Sequence, residues 1–202
     1  MSTSAPAPAA YHHGDLRRTL VAAARAALDE NGAERLGLRE IARRAGVSPA
    51  APYRHFAGLE DLLQAVAAQG FDELAAALDA AAGDPGDRLA AMGRAYVRFA
   101  RAHPRLYRLM FAAGAPAAAA AGLAAAGRSA FARLEAAVTG ERERNPREAR
   151  LAALSAWAHV HGLSLLLLDG RIPRVDAGNP DDEERLVAAL TDRFVAGLRS
   201  IL

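Results

Sequence analysis

The 202-residue chain contains no cysteine and no lysine. Without cysteine there are no disulfides, no thiolate metal sites and no cysteine nucleophile, a composition that fits a reducing interior. All 25 basic residues are arginine. Phosphate-loop nucleotide binding and Schiff-base chemistry both need a primary side-chain amine, so both are excluded. The short catalytic signatures are missing too: no Gly-x-Ser-x-Gly elbow, no His-Glu-x-x-His, no dinucleotide-binding glycine loop, no carboxylate pair on an apolar face. His159 and His161 are two residues apart and point to different faces of a helix, so they are not a metal pair. The expectation is a protein that is not an enzyme and has neither cofactor nor metal.

What is present is a folded globular composition, 52% apolar and 24% charged with a net charge of +2. The length allows one compact domain or two small ones. The net charge conceals a division: residues 1–58 carry eight arginines against five acidic residues, and the remainder 17 against 18. That is the pattern of an N-terminal third that meets a polyanion. The most apolar stretch, residues 151–168, contains Ser155, His159, His161 and Ser164, and the weakly apolar run 112–127 is interrupted by Pro116. Both are expected to be core rather than membrane spans. Residues 1–10, rich in Ser, Ala and Pro, lack the charged and apolar regions of a secretory signal and are expected to form a disordered leader. A cytoplasmic protein with no membrane partner is predicted.

Apolar positions recur at helical spacing nearly throughout, and no segment alternates long enough to be a strand. The predicted fold is all-α, with about nine helices: 15–31, with Asp15 as N-cap, then 38–45, 49–55, 59–82, 87–102, 105–111, 117–139, 147–168 and 181–201. In the first, Leu16, Leu20, Ala24, Ala27 and Leu28 share one face. In the fourth, Leu62, Leu63, Val66, Phe71, Leu74 and Leu78 do. Gly83 to Gly86, Gly140 to Pro146 and Asp169 to Pro173 read as stops and turns. The acidic cluster Asp181 to Glu184 reads as the charged first turn of the last helix.

Ile41-Ala42-Arg43-Arg44-Ala45-Gly46-Val47-Ser48 is the most informative segment. Two helices joined by a tight turn need small residues where they cross and a residue that tolerates positive φ in the turn. Ala42 and Ala45 meet the first need and Gly46 the second. Val47 packs inward, and Ser48 followed by Pro49 is expected to cap the next helix. Helix 38–45 then crosses the DNA backbone while helix 49–55 enters the major groove. Tyr53-Arg54-His55-Phe56 adds a phenol, a guanidinium and an imidazole to that second helix.

With these residues in place, the stretch 36–63, LGLREIARRAGVSPAAPYRHFAGLEDLL, resembles the signature of the TetR/AcrR family of bacterial transcriptional regulators. The chain is also similar to the subgroup with a Trp…His-Gly pattern in its regulatory domain, here Trp157, His161 and Gly162, with Ala95 to Ala100 and His103 to Phe111 upstream. It departs from the family where Gly37 stands for the usual Ser or Thr cap, Leu59 for a phosphate-contacting lysine, and Pro52 for an aliphatic residue.

The resemblance implies an N-terminal helix-turn-helix domain over 11–58 and a helical ligand-binding and dimerisation domain over 59–202. It implies DNA contacts from Arg39, Arg43, Arg44, Ser48, Pro49, Ala50, Tyr53, Arg54 and His55, with further backbone contacts from Tyr11, His12, His13, Arg17 and Arg18. The expected ligand-binding set is Tyr96, Phe99, His103, Tyr107, Met110, Phe111, Phe131, Trp157 and His161, with Met92 beside them. Tyr107, Trp157 and His161 carry polar handles that want partners when buried.

Helix 147–168 is apolar on nearly all sides and is followed by an amphipathic helix, 181–201. A homodimer through these two helices would bury both, and would set two DNA-reading helices one DNA turn apart. The implied function is a ligand-responsive homodimeric repressor on a palindromic operator, with an unidentified small-molecule effector. The rival reading is a small-molecule-binding or architectural DNA-binding helical protein without effector coupling.

Overall fold

The computed structural model describes residues 13–81, 87–112, 117–139, 145–172 and 180–201. The expected leader 1–10, Tyr11, His12, the stop at 83–86 and the turn residues 140–144 lie outside them. The described residues hold α1 (His13–Asn31), a 3-10 turn (Ala33–Arg35), α2 (Leu38–Arg44), a second 3-10 turn (Ala51–Arg54), α3 (Leu59–Asp79), α4 (Arg88–Ala102), α5 (Pro104–Met110), α6 (Ala117–Thr139), α7 (Pro146–Leu168) and α8 (Pro180–Ile201). No strand occurs among them, so the fold is all-α as expected. The chain divides into two compact units that part within α3, between Val66 and Ala67.

In the first unit the apolar spacing of α1 buries Leu20, Ala24, Ala27 and Leu28 completely or nearly so. α2 presents Leu38, Ile41 and Ala42 to the same core, which Phe56, Leu62 and Val66 complete. Each large aliphatic side chain taken fully out of water contributes about 1.5–3 kcal/mol. α1 begins at His13, so Asp15 lies within its first turn and is not the predicted cap. At the start of α3 the Asp61 carboxylate folds back to accept the Ala57 N–H at 2.9 Å.

In the second unit α4 is the central helix, packed on α6, α7 and α8. Gly93 sets how closely α4 and α8 approach, because a Cβ there would lie 2.6 Å from Thr191 Cγ2. Gly70 of α3 likewise leaves room for Met110 and Leu106 of α5. α7 begins on a cap that sequence reading passed over: Asn145 Oδ1 accepts the Arg147 N–H at 2.9 Å, with Pro146 in the first turn, where its missing N–H costs nothing. It ends as predicted at Gly170, φ +63°, where the Gly170 and Arg171 N–H groups close back on the Leu167 and Leu166 carbonyls.

α7 is long and apolar enough to cross a membrane, but Ala152, Ala153, Ala156, Val160 and Leu163 pack it into the bundle as a core helix. Within one chain it is not buried all round. Leu151 is 56% exposed and Leu166 46%, with Leu154 also open.

Candidate nucleic-acid interface and ligand cavity

The turn after α2 is built by the backbone. Gly46 has φ +69°, its N–H meets the Arg43 carbonyl at 3.2 Å, and the Val47 N–H meets the Ala42 carbonyl at 3.0 Å. These two bonds, with a left-handed residue between them, close the helix and turn the chain sharply. The next element is not the helix expected over 49–55. Pro52 has no N–H to donate back to Ser48, so the Ala51 N–H takes the Ser48 carbonyl at 3.0 Å and a 3-10 turn forms over Ala51–Arg54. Ala50, not Ser48, stands before that turn, and no side chain caps it.

Most of the predicted DNA-contacting side chains project into solvent from this scaffold. Arg39, Arg43, Arg44, Ser48, Pro49, Ala50 and Arg54 are exposed, Tyr53 is 60% exposed and His55 is half-buried. Behind them Phe56 is buried, with the Arg17 guanidinium over its ring at 5.1 Å. Two acidic residues that sequence reading gave no role organise the arginines. Glu40 accepts a bidentate pair from Arg43, both contacts at 2.8 Å, and a third bond from Arg44 at 2.9 Å. Arg44 also reaches Glu30 of α1 at 2.7 Å. Hydrogen bonds from Arg43 and then Arg44 hold the Glu40 carboxyl far below the usual range, at about 2.

The second unit contains a cavity of about 280 Å³. Of the predicted ligand-binding residues, Tyr96, Met110, Phe111, Phe131 and Trp157 line it, as does Met92. Phe71, Leu74 and Leu78 of α3 and Phe194 and Val195 of α8 also line it, residues that helical periodicity alone does not mark as cavity-facing. Phe99 and His103 do not line the cavity; their rings pack on each other, centroids 5.0 Å apart.

Tyr107 and His161 are not in the lining either, but both connect to it. The Tyr107 and Tyr96 hydroxyls lie 3.0 Å apart, Tyr107 Oη lies 2.7 Å from His161 Nδ1, and Trp157 Nε1–H donates to Tyr96 Oη at 3.3 Å. Tyr107 is the donor to Tyr96, so the Tyr96 oxygen accepts from both Tyr107 and Trp157, and its own hydroxyl lies 3.2 Å from His161 Nδ1. Burial lowers the His161 pKa, raises that of Tyr107 to about 12 and raises that of Tyr96 further. His159 faces elsewhere, stacked on Phe194 at 4.3 Å.

Two families match the sequence. Residues 20–66 match the bacterial regulatory proteins of the tetR family, and residues 89–194 match the tetracyclin repressor-like C-terminal domain. Among solved structures, a protein with unknown function from Rhodococcus sp. RHA1 is 37% identical, with a TM-score of 0.73 over 94% of this chain and 98% of that one. A tetR-family transcriptional regulator from Streptomyces coelicolor is 22% identical, with a TM-score of 0.71 over 95% of this chain and 83% of that one. A TetR transcriptional regulator from Rhodococcus sp. RHA1 is 21% identical, with a TM-score of 0.65 over 91% and 97%. At these lower identities the likeness is one of fold. No curated protein sequence matches.

Proposed function

Because the chain belongs to the TetR family of bacterial regulatory proteins, and is therefore a DNA-binding transcriptional regulator, we propose that it is a ligand-responsive repressor that acts as a homodimer on a palindromic operator. The family is one of transcriptional regulators rather than enzymes. The observation that carries the proposal is the glycine-closed turn after α2, followed by an exposed Tyr53 and Arg54, with Arg39, Arg43 and Arg44 of α2 exposed as well. Arg54 is assigned to a base edge or its flanking phosphate, and Arg39, Arg43, Ser48, Pro49, Ala50, Tyr53 and His55 to backbone contacts or close approach. Arg44, tied to Glu30 and Glu40, is assigned to orienting α2 and to phosphate.

The DNA-binding domain comprises residues 11–58 and the regulatory domain 59–202. We assign the latter to the Trp…His-Gly subgroup on Trp157, His161 and Gly162, a reading supported by Trp157 in the cavity lining and His161 bonded to it through Tyr107 and Tyr96. Dimerisation runs through helices 147–168 and 181–201, supported by the open Leu151, Leu154 and Leu166 on α7. Two-fold symmetry then spaces the reading elements about one DNA turn, roughly 34–36 Å, apart. A ligand in the cavity changes operator affinity if it binds one dimer geometry more tightly than the other. The protein works in the cytoplasm.

The test is fluorescence anisotropy against DNA flanking its own gene, at two salt concentrations, with unrelated DNA as competitor. Salt-sensitive binding that survives competitor is the expected result. Equal affinity for both DNAs would overturn the operator reading and favour an architectural protein.

A further inference from the structure

Among the described residues that line the cavity, one has an ionisable side chain, Tyr96, and two more are polar, Trp157 and Thr191; the rest are aliphatic, aromatic, thioether or glycine. All three polar side chains give their protons to the protein itself. Trp157 Nε1–H donates to Tyr96 Oη at 3.3 Å, and Thr191 Oγ1 donates to the Val187 carbonyl of its own helix at 2.7 Å. Both lone pairs of Tyr96 Oη are taken, one by Trp157 and one by Tyr107 at 3.0 Å. Its own proton has an acceptor 3.2 Å away in His161 Nδ1, in the tautomer that leaves no buried hydroxyl proton unpaired. Arg150 lies over the Phe131 ring at 5.9 Å, but outside the lining, exposed and paired with Glu135 at 3.3 Å. The lining side chains thus hold neither a cation nor a free hydrogen-bond donor. A carboxylate, phosphate or carbonyl brought into this space would lose its water and gain no donor in return.

The size also constrains the occupant. An apolar cavity of about 150 Å³ holds a benzene molecule, so about 280 Å³ suits something roughly twice as large. The Phe111 and Phe131 rings stand 6.4 and 5.9 Å from Trp157, with planes inclined at 40° and 62°, a lining that offers edges and faces to a further ring.

Resting on the reading of this cavity as the regulatory ligand site, we propose that its ligand is an uncharged hydrocarbon of that size, an alkylated or fused ring that brings no hydrogen-bond acceptor into the cavity. Acids, phosphate esters and carbonyl compounds are selected against. The selectivity comes from exclusion: Tyr96 makes no polar contact with the ligand, and its oxygen, held between Tyr107 and His161, keeps the Trp157 N–H from being offered to one.

Three probes of nearly the same shape test this at pH 7: butylbenzene, 4-phenylbutan-2-one, in which a carbonyl replaces one methylene, and 4-phenylbutanoate. Trp157 is the only tryptophan in the chain and lines the cavity, so its fluorescence reports occupancy of the full-length protein directly. The expected order is butylbenzene tightest, the ketone weaker by roughly tenfold for a carbonyl left unpaired, and phenylbutanoate weakest. Tyr96→Phe takes the acceptor from the Trp157 N–H, while Tyr107 keeps His161 Nδ1 at 2.7 Å. That opens one donor to the cavity, and the ketone should gain roughly three- to tenfold on butylbenzene. The ranking on unmodified protein stands by itself should the variant fold poorly.

A ketone or carboxylate that binds unmodified protein as tightly as butylbenzene, a gap between ketone and hydrocarbon that a folded Tyr96→Phe leaves unchanged, or no response to any probe would each overturn the proposal. Operator anisotropy with saturating butylbenzene separates this from the regulatory reading. If the ranking holds and operator affinity does not move, the ligand class stands and effector coupling fails.

Discussion

The two units of the chain place their functional groups in opposite surroundings. In the first, Tyr53, Arg39, Arg43 and Arg54 stand in water, and what is fixed lies behind them: the turn at Gly46 and the buried Phe56. In the second, the Tyr96 and Tyr107 hydroxyls are buried and bonded to each other and to His161. The difference fits the partners proposed for the two units. A polyanion supplies its own charge, so the side chains that meet it can wait in solvent, held by ion pairs weak enough to exchange. A small apolar molecule is recognised by dry surface, where every unsatisfied hydroxyl is costly, so the polar groups must satisfy one another.

Substitutions should therefore fail differently in the two units. The largest effect is expected from Gly46→Val. A β-branched residue held at φ +69° costs about 1–3 kcal/mol and displaces the turn that aims Tyr53 and Arg54. Operator binding should be lost while Trp157 fluorescence and its response to ligand persist; unaltered operator binding would break the contrast.

Tyr107→Phe should cost less, about 1 kcal/mol, because Tyr96 Oη lies 3.2 Å from His161 Nδ1 and can take over the acceptor. Thermal unfolding followed at Trp157 measures it. A much larger loss would mean that Tyr96 cannot re-aim.

Acid should weaken the second unit in its own pH window. Burial lowers the pKa of His159 and His161 in the folded chain, whereas unfolded histidine titrates near ~6.5. The unfolded chain thus binds protons that the folded one refuses. The stabilising contribution is complete above the unfolded pKa and is lost as pH falls through it toward the folded values. The unfolding midpoint read at Trp157 should drop between pH 7 and pH 5, and a midpoint that rose would contradict the buried neutral imidazoles. Glu40, with its pKa at about 2, keeps the arginine cluster paired through that same range.

The smallest effect is expected from Glu40→Gln. It should leave thermal unfolding unchanged and raise affinity for DNA roughly two- to fivefold by removing a negative charge and releasing Arg43 from an exposed pairing, while Arg44 keeps its bond to Glu30. Weaker binding would show instead that Glu40 holds the arginines in their reading positions.

The same contrast governs what could be read from the sequence. The turn at Gly46 was legible because its chemistry is confined to six consecutive residues, and so was the stop at Gly170. The helix over 49–55 was misread at equally short range: the missing N–H of Pro52 outweighed the helical signal of Ser48-Pro49 and left a 3-10 turn. In the second unit, periodicity placed Phe71, Leu74 and Leu78 on one face without saying that this face borders a cavity. That depends on residues far along the chain, such as Phe194 and Val195. The bond between Tyr107 and His161 spans 54 positions. The aromatic and histidine types suggested a site, but only the packing of α4, α5 and α7 separated Tyr96, in the lining, from Phe99 and His103, outside it.

The most direct test of the account is the affinity of Arg54→Ala for the DNA flanking the gene, measured beside the unmodified protein. Arg54 is exposed at the end of the 3-10 turn, so the variant should fold normally. Loss of a base or phosphate contact of about 1–3 kcal/mol weakens specific binding by roughly ten- to a hundredfold while ligand binding in the cavity is retained. An unchanged affinity would contradict the assignment of this turn as the DNA-reading element.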